Sequence, residues 1–147
     1  MANARSLWFV GPRLVEIRTA PLTRPTDGEV LVRTEFSGIS AGTELLAYRG
    51  QLDEELPRDE MIGALAGTFR YPFPYGYSAV GEVEESRAGL AEGQLVFAFH
   101  PHQDRFVVGA EDVVALDGVE PRRATMLPLV ETALQICLLY TSDAADE

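Results

Sequence analysis

The sequence predicts a mainly β fold, a small barrel or sandwich that carries a few short helices. Short strand-like segments follow one another at fairly even spacing and are separated by turns rich in Gly and Pro. The clearest strand, residues 29–36, alternates strictly, and one of its faces is expected to carry Val30, Val32, Thr34 and Phe36. After Glu120-Pro121 the pattern becomes helical, so we expect the β domain to end there.

The first half of the chain begins with a predicted hairpin. Its strands are residues 6–10 and 14–19, separated by a Gly-Pro pair. A short helix is expected at 43–49, beginning after Gly42 and ending at Gly50, because glycine readily ends a helix in the left-handed conformation.

The second half of the chain is predicted to hold more strands and then helix. The strands are expected at residues 78–84, 95–100, 106–108 and 113–116. The segments 51–60 and 64–77 carry no regular pattern. In the helical stretch that follows Pro121, Pro128 either interrupts the helix or starts a second one.

The composition and charge limit the function classes. The chain has 147 residues, which fits one domain, and 46% of them are hydrophobic, enough for a core. The formal net charge of −11 disfavours binding to nucleic acid or to an anionic membrane surface. No apolar run is long enough to cross a bilayer, and the N-terminus lacks a secretory pattern. We therefore expect a cytoplasmic protein.

The last residues, 137–147 (CLLYTSDAADE), can be back-translated in one frame into a common transposon-type sequencing adapter. The ordinary alternative is a helix end followed by a polar tail. The adapter interpretation predicts that this segment is an artefact, that Cys137 is not a functional thiol, and that the natural protein continues beyond Ile136. We therefore exclude the segment from the fold prediction.

Four motifs stand in a recognisable order: GEVLVRTEFSGISAGTE (28–44), YGYSAVGEVEE (75–85), EGQLVFAF (92–99) and MLPLVETAL (126–134). Together they resemble the N-terminal domain of the medium-chain dehydrogenase/reductase superfamily. The first is similar to the family's strand and Gly-Ile-Cys-Gly-Thr-Asp loop, and the second to its Gly-His-Glu-x-x-Gly-x-Val segment. The third resembles its Gly-Asp-x-Val strand, and the fourth the helix that leads into its Rossmann domain. The loop variants are closest to the branch of bacteriochlorophyllide a dehydrogenase-like proteins.

The resemblance implies a GroES-like, partly open β-barrel at 1–120 and, at 121–136, the start of a linker helix to a missing Rossmann domain. The full-length parent would be an NAD- or NADP-dependent oxidoreductase with a small-molecule substrate and a homodimeric assembly, and the fragment alone would be inactive. A dinucleotide G-x-G-x-x-G is expected after Ile136, because the glycine-rich residues 63–69 neither follow a clear strand nor open a helix. The alternative is a non-enzymatic GroES-like barrel that acts as a binding or assembly module.

The motifs depart from the family at its zinc ligands. Zinc-dependent members hold the metal with Cys in the first loop and with His and usually Glu in the second. By position these correspond here to Ser40, Tyr77 and Ser78, and a neutral hydroxyl is a poor zinc ligand beside thiolate or imidazole. The family's structural lobe of four cysteines is absent as well. We therefore expect a zinc-independent enzyme.

Ser40, Thr43 and Tyr77 are the catalytic candidates that the resemblance implies, because they would line the cleft that faces the nicotinamide. Their hydroxyls could stabilise a developing oxyanion. Loop capping is the alternative for Ser40 and Thr43, and simple aromatic packing for Tyr77. Glu131 and Thr132 are candidates for contact with the cofactor. Glu44 and Glu131 could also act as acid/base groups or contact the cofactor, but solvated helix carboxylates are the simpler interpretation for both.

His100 and His102 are the remaining catalytic candidates and the only histidines in the sequence. On an extended segment, two residues at this spacing face the same way. Such a pair could relay protons, contact the substrate or bind a metal through two nitrogens. The competing interpretation is a pair of partly exposed histidines at the barrel rim. No cysteine or evident third ligand lies nearby in the sequence, so we expect no metal site.

Overall fold

The computed structural model describes residues 3–59 and 61–143, with side chains described for 3–59 and 61–139. The strands are β1 (Asn3–Gly11), β2 (Leu14–Pro21), β3 (Glu29–Ser37), β4 (Phe73–Pro74), β5 (Ala79–Ser86), β6 (Leu95–Ala98), β7 (Arg105–Gly109) and β8 (Val113–Ala115). The helices are α1 (Thr43–Arg49), α2 (Pro121–Ala124) and α3 (Leu127–Asp143), with single 3-10 turns at Gly63–Leu65 and Ala110–Asp112. Every strand and helix predicted from the sequence is present, several with shifted ends.

Two antiparallel sheets form the body of the fold. The larger has the strand order β7-β3-β5-β6-β8, and the smaller has the order β2-β1-β4. Backbone hydrogen bonds join β1 to the segment before β7: the Leu7 amide donates to the carbonyl of His102 at 2.9 Å, and the Asp104 amide donates to that of Arg5 at 3.0 Å. The result is a curled, partly open GroES-like barrel, so the predicted fold class is confirmed.

The main core lies against one face of β3. Val30 and Val32 are fully buried there, as the alternation predicts, and they pack with Val83 and Phe106. The predicted face does not continue to the end of the strand, because Phe36 is 40% exposed. The reason is an irregularity in the β3–β5 register between Thr34 and Phe36. This irregularity changes the direction in which the side chains after it point.

A second core, made largely of aromatic side chains, lies beneath the segment 64–77. Phe9 and Phe73 stack with their ring centres 5.4 Å apart, and Phe69 meets Tyr75 edge-on at 5.1 Å. Although no regular structure was expected here, the segment contains β4 and most of the first 3-10 turn. The Tyr75 ring in turn contacts that of Tyr77 edge-on at 6.0 Å, so this core fixes the approach to Tyr77.

The chain leaves the barrel through α2 and α3. The Glu120 carboxylate caps α2 by accepting hydrogen bonds from the amides of Arg122 and Arg123, both at 3.0 Å. Pro128 lies in the first turn of α3, so it belongs to a second helix, as one of the two sequence interpretations proposed. Several apolar side chains of α3 are each more than half exposed: Leu129, Val130, Leu134, Ile136, Leu138 and Leu139. No helix among the described residues is long and apolar enough to span a bilayer.

Candidate active-site cleft

A cleft opens between the loop that connects β3 to α1 and the junction of α2 with α3. Its first part has a volume of about 440 Å³ and is lined by the loop 38–42, by Tyr77 and Ser78, and by junction residues that include Met126 and Pro128. The loop lies here because the Gly38 amide donates to the carbonyl of Ser78 at 2.9 Å, which extends the β3–β5 ladder by one hydrogen bond. The sequence-predicted Ser40 and Tyr77 are therefore brought to the same cleft.

The cleft continues past Tyr77 into a second part of about 210 Å³. Tyr77, Pro128 and Leu129 line both parts. Glu131 and Thr132 line only the second part, where the Thr132 hydroxyl donates to the carbonyl of Pro128 at 2.9 Å. Both cofactor-contact candidates thus lie in the same cleft as Tyr77, on the exposed face of α3.

The hydroxyl groups of the cleft differ in their availability. Ser78 is buried and its Oγ donates to the carbonyl of Thr125 at 2.8 Å, so this hydroxyl is engaged in holding β5 to the α2–α3 junction. Ser40 Oγ accepts a hydrogen bond from the Gly42 amide at 3.1 Å, which leaves its own proton free to donate. Among the described residues, none forms a hydrogen bond with the Tyr77 hydroxyl. Tyr77 and Ser40 therefore offer the available donors.

Thr43 stands apart from these hydroxyls. It is the first residue of α1 and is half-buried, and it is not among the residues that line either part of the cleft. Its catalytic role remains a sequence-based prediction.

Glu44 is buried, and the expectation that it is a solvated helix carboxylate is wrong. Its side chain is only 2% exposed. One carboxylate oxygen accepts a hydrogen bond from His102 Nε2 at 2.7 Å, and the other accepts from the Ser40 amide at 3.1 Å. Glu44 shares a helix face with Ala47, which is also buried and lies three residues further along α1.

His102 connects Glu44 to Ser37 and to the segment that precedes Tyr77. Its Nδ1 is hydrogen-bonded to Ser37 Oγ at 2.5 Å, and its backbone amide donates to the carbonyl of Tyr75 at 3.3 Å. The ring occupies the space above Gly76, where an ideal Cβ atom would lie 2.8 Å from ring atoms. The Glu44–His102 pair therefore links the Ser40 loop to the segment that carries Tyr77, without lining the cleft itself.

His100 and His102 do not face the same way, contrary to the sequence expectation. Strand β6 ends at Ala98, so the alternation of an extended strand does not apply to the two histidines. The His100 ring stacks on Phe106 with the ring centres 3.9 Å apart, and burial lowers the pKa of His100 to about 4. It lines a separate cavity of about 530 Å³, whereas His102 lines an apolar cavity beside β1. The interpretation as two partly exposed rim histidines is also wrong for His100, which is 9% exposed.

Solved structures with this fold include dehydrogenases. A short chain alcohol dehydrogenase from E. coli CFT073, complexed with NADH, superposes with a TM-score of 0.62 at 18% identity, covering 86% of this chain and 42% of that one. A cobalt and zinc bound thermostable alcohol dehydrogenase from Pyrobaculum aerophilum superposes with a TM-score of 0.59 at 18% identity, covering 86% and 45%. These likenesses show the fold. No family model matches the sequence.

A sequence relative decides the family. The 2-desacetyl-2-hydroxyethyl bacteriochlorophyllide A dehydrogenase of Cereibacter sphaeroides is 31% identical, over 84% of this chain and 41% of that protein. The chain belongs to the medium-chain dehydrogenase/reductase superfamily. Within the superfamily its fold is that of the N-terminal GroES-like domain, and the chain spans about two fifths of the length of the relatives that it matches.

The zinc of the superfamily does not fit the residues present. The three positions that the motif resemblance matches to its ligands hold hydroxyl side chains, and the Ser78 hydroxyl is already engaged with Thr125. Among the described residues, no group of three or more His, Cys, Asp or Glu side chains is arranged to hold a metal ion. We therefore derive no catalytic step through zinc in this domain.

Proposed function

We propose that this chain is the substrate-side domain of a zinc-independent, NAD(P)-dependent oxidoreductase that interconverts an alcohol and a carbonyl compound. The observation that carries the proposal is the position of Tyr77, which lies where the two parts of the cleft meet and whose hydroxyl has no hydrogen-bond partner among the described residues. The dehydrogenase relative supports the same reaction class.

A nicotinamide bound in the cleft would provide the hydride chemistry of the proposed reaction. Tyr77 and Ser40 donate hydrogen bonds to the substrate oxygen and stabilise the negative charge that develops on it. Tyr77 Oη then donates a proton to this oxygen in the reducing direction and accepts one in the oxidising direction. The apolar side chains of Met126 and Leu129 line the first part of the cleft.

The position of the cofactor belongs to the same proposal. Glu131 and Thr132 line the cleft beside Tyr77 and would contact the nicotinamide half of the dinucleotide. The phosphate-binding glycine motif is proposed to follow residues 121–136 in a Rossmann domain that the barrel of residues 1–120 lacks. The parent enzyme would be a cytoplasmic homodimer, and this chain alone would have no dehydrogenase activity.

The substrate is proposed to be a secondary alcohol, or the matching ketone, on a large and partly apolar molecule. The name of the Cereibacter sphaeroides relative specifies a hydroxyethyl substituent on a bacteriochlorophyllide, which is such a molecule. The cleft of this chain has apolar side chains in both of the parts that meet at Tyr77, which is compatible with a reacting group carried by a larger body.

Replacement of Tyr77 by Phe in the full-length enzyme tests the catalytic assignment. We expect kcat to fall by about 100-fold, because one preorganised donor to the oxyanion is lost, with KM changing by less than about threefold. Tyr48→Phe is the matched control, since Tyr48 is a half-buried tyrosine outside the cleft. An unchanged kcat in steady-state assays of Tyr77→Phe would contradict the assignment.

Zinc dependence is tested separately by elemental analysis of the purified chain. After dialysis without chelator we expect clearly less than one zinc per chain, because hydroxyl groups replace thiolate, imidazole and carboxylate at the ligand positions. One tightly held zinc per chain would refute the zinc-independent assignment.

A further inference from the structure

The cavity that contains His100 is separate from the chemistry proposed above, although it adjoins the cleft. It has a volume of about 530 Å³, and it shares Ile62 and Phe99 with the second part of the cleft. Apolar side chains such as Val107 and Val114 form much of its wall. A cavity of this size can hold a ligand of roughly the dimensions of a substituted benzene ring or larger.

The His100 ring is held so that one nitrogen remains available. One ring face stacks on Phe106, and Nδ1 lies 3.0 Å from the carbonyl oxygen of Pro101. No side chain or backbone group among the described residues pairs with Nε2. Among the described side chains, Arg58 is the only one with a nitrogen that is both fully enclosed and without a hydrogen-bond partner. His100 Nε2 also has no partner, so it is not fully enclosed although the residue is buried. Because His100 lines the cavity, we take Nε2 to be open to it.

The chemistry of Nε2 is fixed by the bond at Nδ1. A carbonyl oxygen can only accept, so Nδ1 carries the proton and Nε2 presents a lone pair. Burial also lowers the pKa of His100 to about 4, so the ring is neutral near pH 7. A ligand group placed against Nε2 must therefore donate a hydrogen bond.

The charges around the cavity favour a cationic donor. Among the described residues, three acidic side chains line it, namely Glu29, Glu111 and Asp112, and no arginine does. The Glu29 carboxylate accepts hydrogen bonds from the Thr26 amide at 2.7 Å and from its hydroxyl at 2.8 Å, which lowers the pKa of Glu29 and keeps it ionised. Glu111 and Asp112 are exposed at the rim. A carboxylate or phosphate ligand would meet a lone pair and like charges.

We propose that the His100 cavity is a binding site for an apolar molecule that ends in a hydrogen-bond donor, a protonated amine in preference to an alcohol. If the hydride chemistry proposed above holds, the site receives the end of the substrate remote from the reacting carbon. The assignment of this site to the remote end of the substrate rests on the proposed function, whereas the binding of an amine in the cavity does not.

The experiment uses the whole chain with 15N-labelled histidine, because the sequence contains only two histidines and their ring signals are easily separated. The probes are benzylamine, benzyl alcohol and benzoate, added without cofactor. We expect benzylamine to bind more tightly than benzyl alcohol and to shift the His100 Nε2 signal while leaving His102 unchanged. Benzoate should not bind.

Three variants separate the contributions. His100→Phe keeps the stacking on Phe106 but removes the acceptor, and we expect about tenfold weaker benzylamine binding, the equivalent of one lost hydrogen bond. Glu111→Gln changes only an exposed carboxylate, so it should fold normally and weaken benzylamine about threefold without affecting benzyl alcohol. Glu92→Gln is the matched control, because Glu92 is exposed and does not line the cavity.

Three results would overturn the proposal. The first is no binding of benzylamine, the second is equal binding of benzoate and benzylamine, and the third is unchanged benzylamine affinity in both His100→Phe and Glu111→Gln. The outcome is independent of the Tyr77→Phe assay. Loss of activity in Tyr77→Phe with no benzylamine binding would retain the proposed function and reject the cavity site, and the reverse pattern would do the opposite.

Discussion

The α-carbon of Gly76 lies against the imidazole of His102, where an ideal Cβ atom would come within 2.8 Å of the ring. Its φ of +131° is also in a region that residues with side chains rarely adopt. Both constraints act on the residue just before Tyr77. A side chain at this position would therefore disturb the Glu44–His102 link and the catalytic candidate together.

Replacement of Gly76 by Ala is expected to lower the free energy of unfolding by at least about 2 kcal/mol, through backbone strain and displacement of His102. Urea unfolding measures the change. The control is Gly11→Ala, because Gly11 has no positive φ and no atom within 4 Å of its ideal Cβ position, and it should cost less than about 0.5 kcal/mol. Equal effects of the two substitutions would contradict the packing argument.

The low pKa of His100 predicts that the folded chain loses stability in acid. Its pKa is about 4 in the folded chain against an ordinary value of 6.5, so between these values the unfolded chain binds a proton that the folded chain does not. The contribution is complete above about pH 6.5 and is lost as the pH falls toward 4, by about 3 kcal/mol in total.

The comparison variant for this prediction is His100→Phe, which lacks the titrating group. The carboxylates that line the same cavity, Glu29, Glu111 and Asp112, remain in both proteins, so their titration largely cancels. Urea unfolding at about pH 7 and about pH 4.5 should show a larger loss for the parent chain than for the variant. The same pH dependence in both would show that His100 is protonated in the folded state.

At the scale of secondary structure, the predictions succeeded where local pattern and core direction agree. The alternation of β3 and the Gly50 stop signal of α1 depend on neighbours in sequence, and both predictions hold. Phe36 and the two histidines were misplaced because their directions depend on a register break and on the early end of β6. Such events are decided by contacts between distant segments, which no periodicity encodes.

The candidate site shows the same division. Ser40 and Tyr77 were expected in one cleft from their motifs, and the structure brings them together. Glu44 was expected in solvent because an isolated carboxylate is costly to bury, and its partner His102 lies far away in the sequence. Only the closure of β1 onto the segment before β7 brings this partner to α1. A buried carboxylate with a hydrogen-bonding partner can be recognised from sequence only when that partner is also identified.

At the scale of the whole molecule, the described residues contain a GroES-like barrel without a dinucleotide fold. The glycine-rich residues 63–69 form only a short 3-10 turn and the coil that follows it, so they offer no helix N-terminus to a pyrophosphate. The chain spans 41% of the length of the Cereibacter sphaeroides relative. The cofactor contacts that we propose for the described residues are limited to the cleft beside Tyr77.

NADPH titrated into the purified chain is therefore expected to show no specific binding, because the groups that would recognise its phosphates are missing from the barrel. Calorimetry or nucleotide fluorescence measures this. The full-length protein serves as the positive control, and a dissociation constant in the micromolar range for the chain alone would contradict the proposed division of the cofactor site.

Ser78 carries a consequence for engineering. Its hydroxyl fastens β5 to the end of α2, and the space around it is tight, since an ideal Cβ on Gly38 would lie 3.1 Å from Ser78 Oγ and 3.2 Å from Thr125 Cβ. A glutamate at this position would lose the hydrogen bond to the carbonyl of Thr125 and would clash with two backbone segments. Converting this barrel into a zinc enzyme is thus more than a matter of restoring three ligands. The joint between the barrel and α3 would have to be rebuilt at the same time.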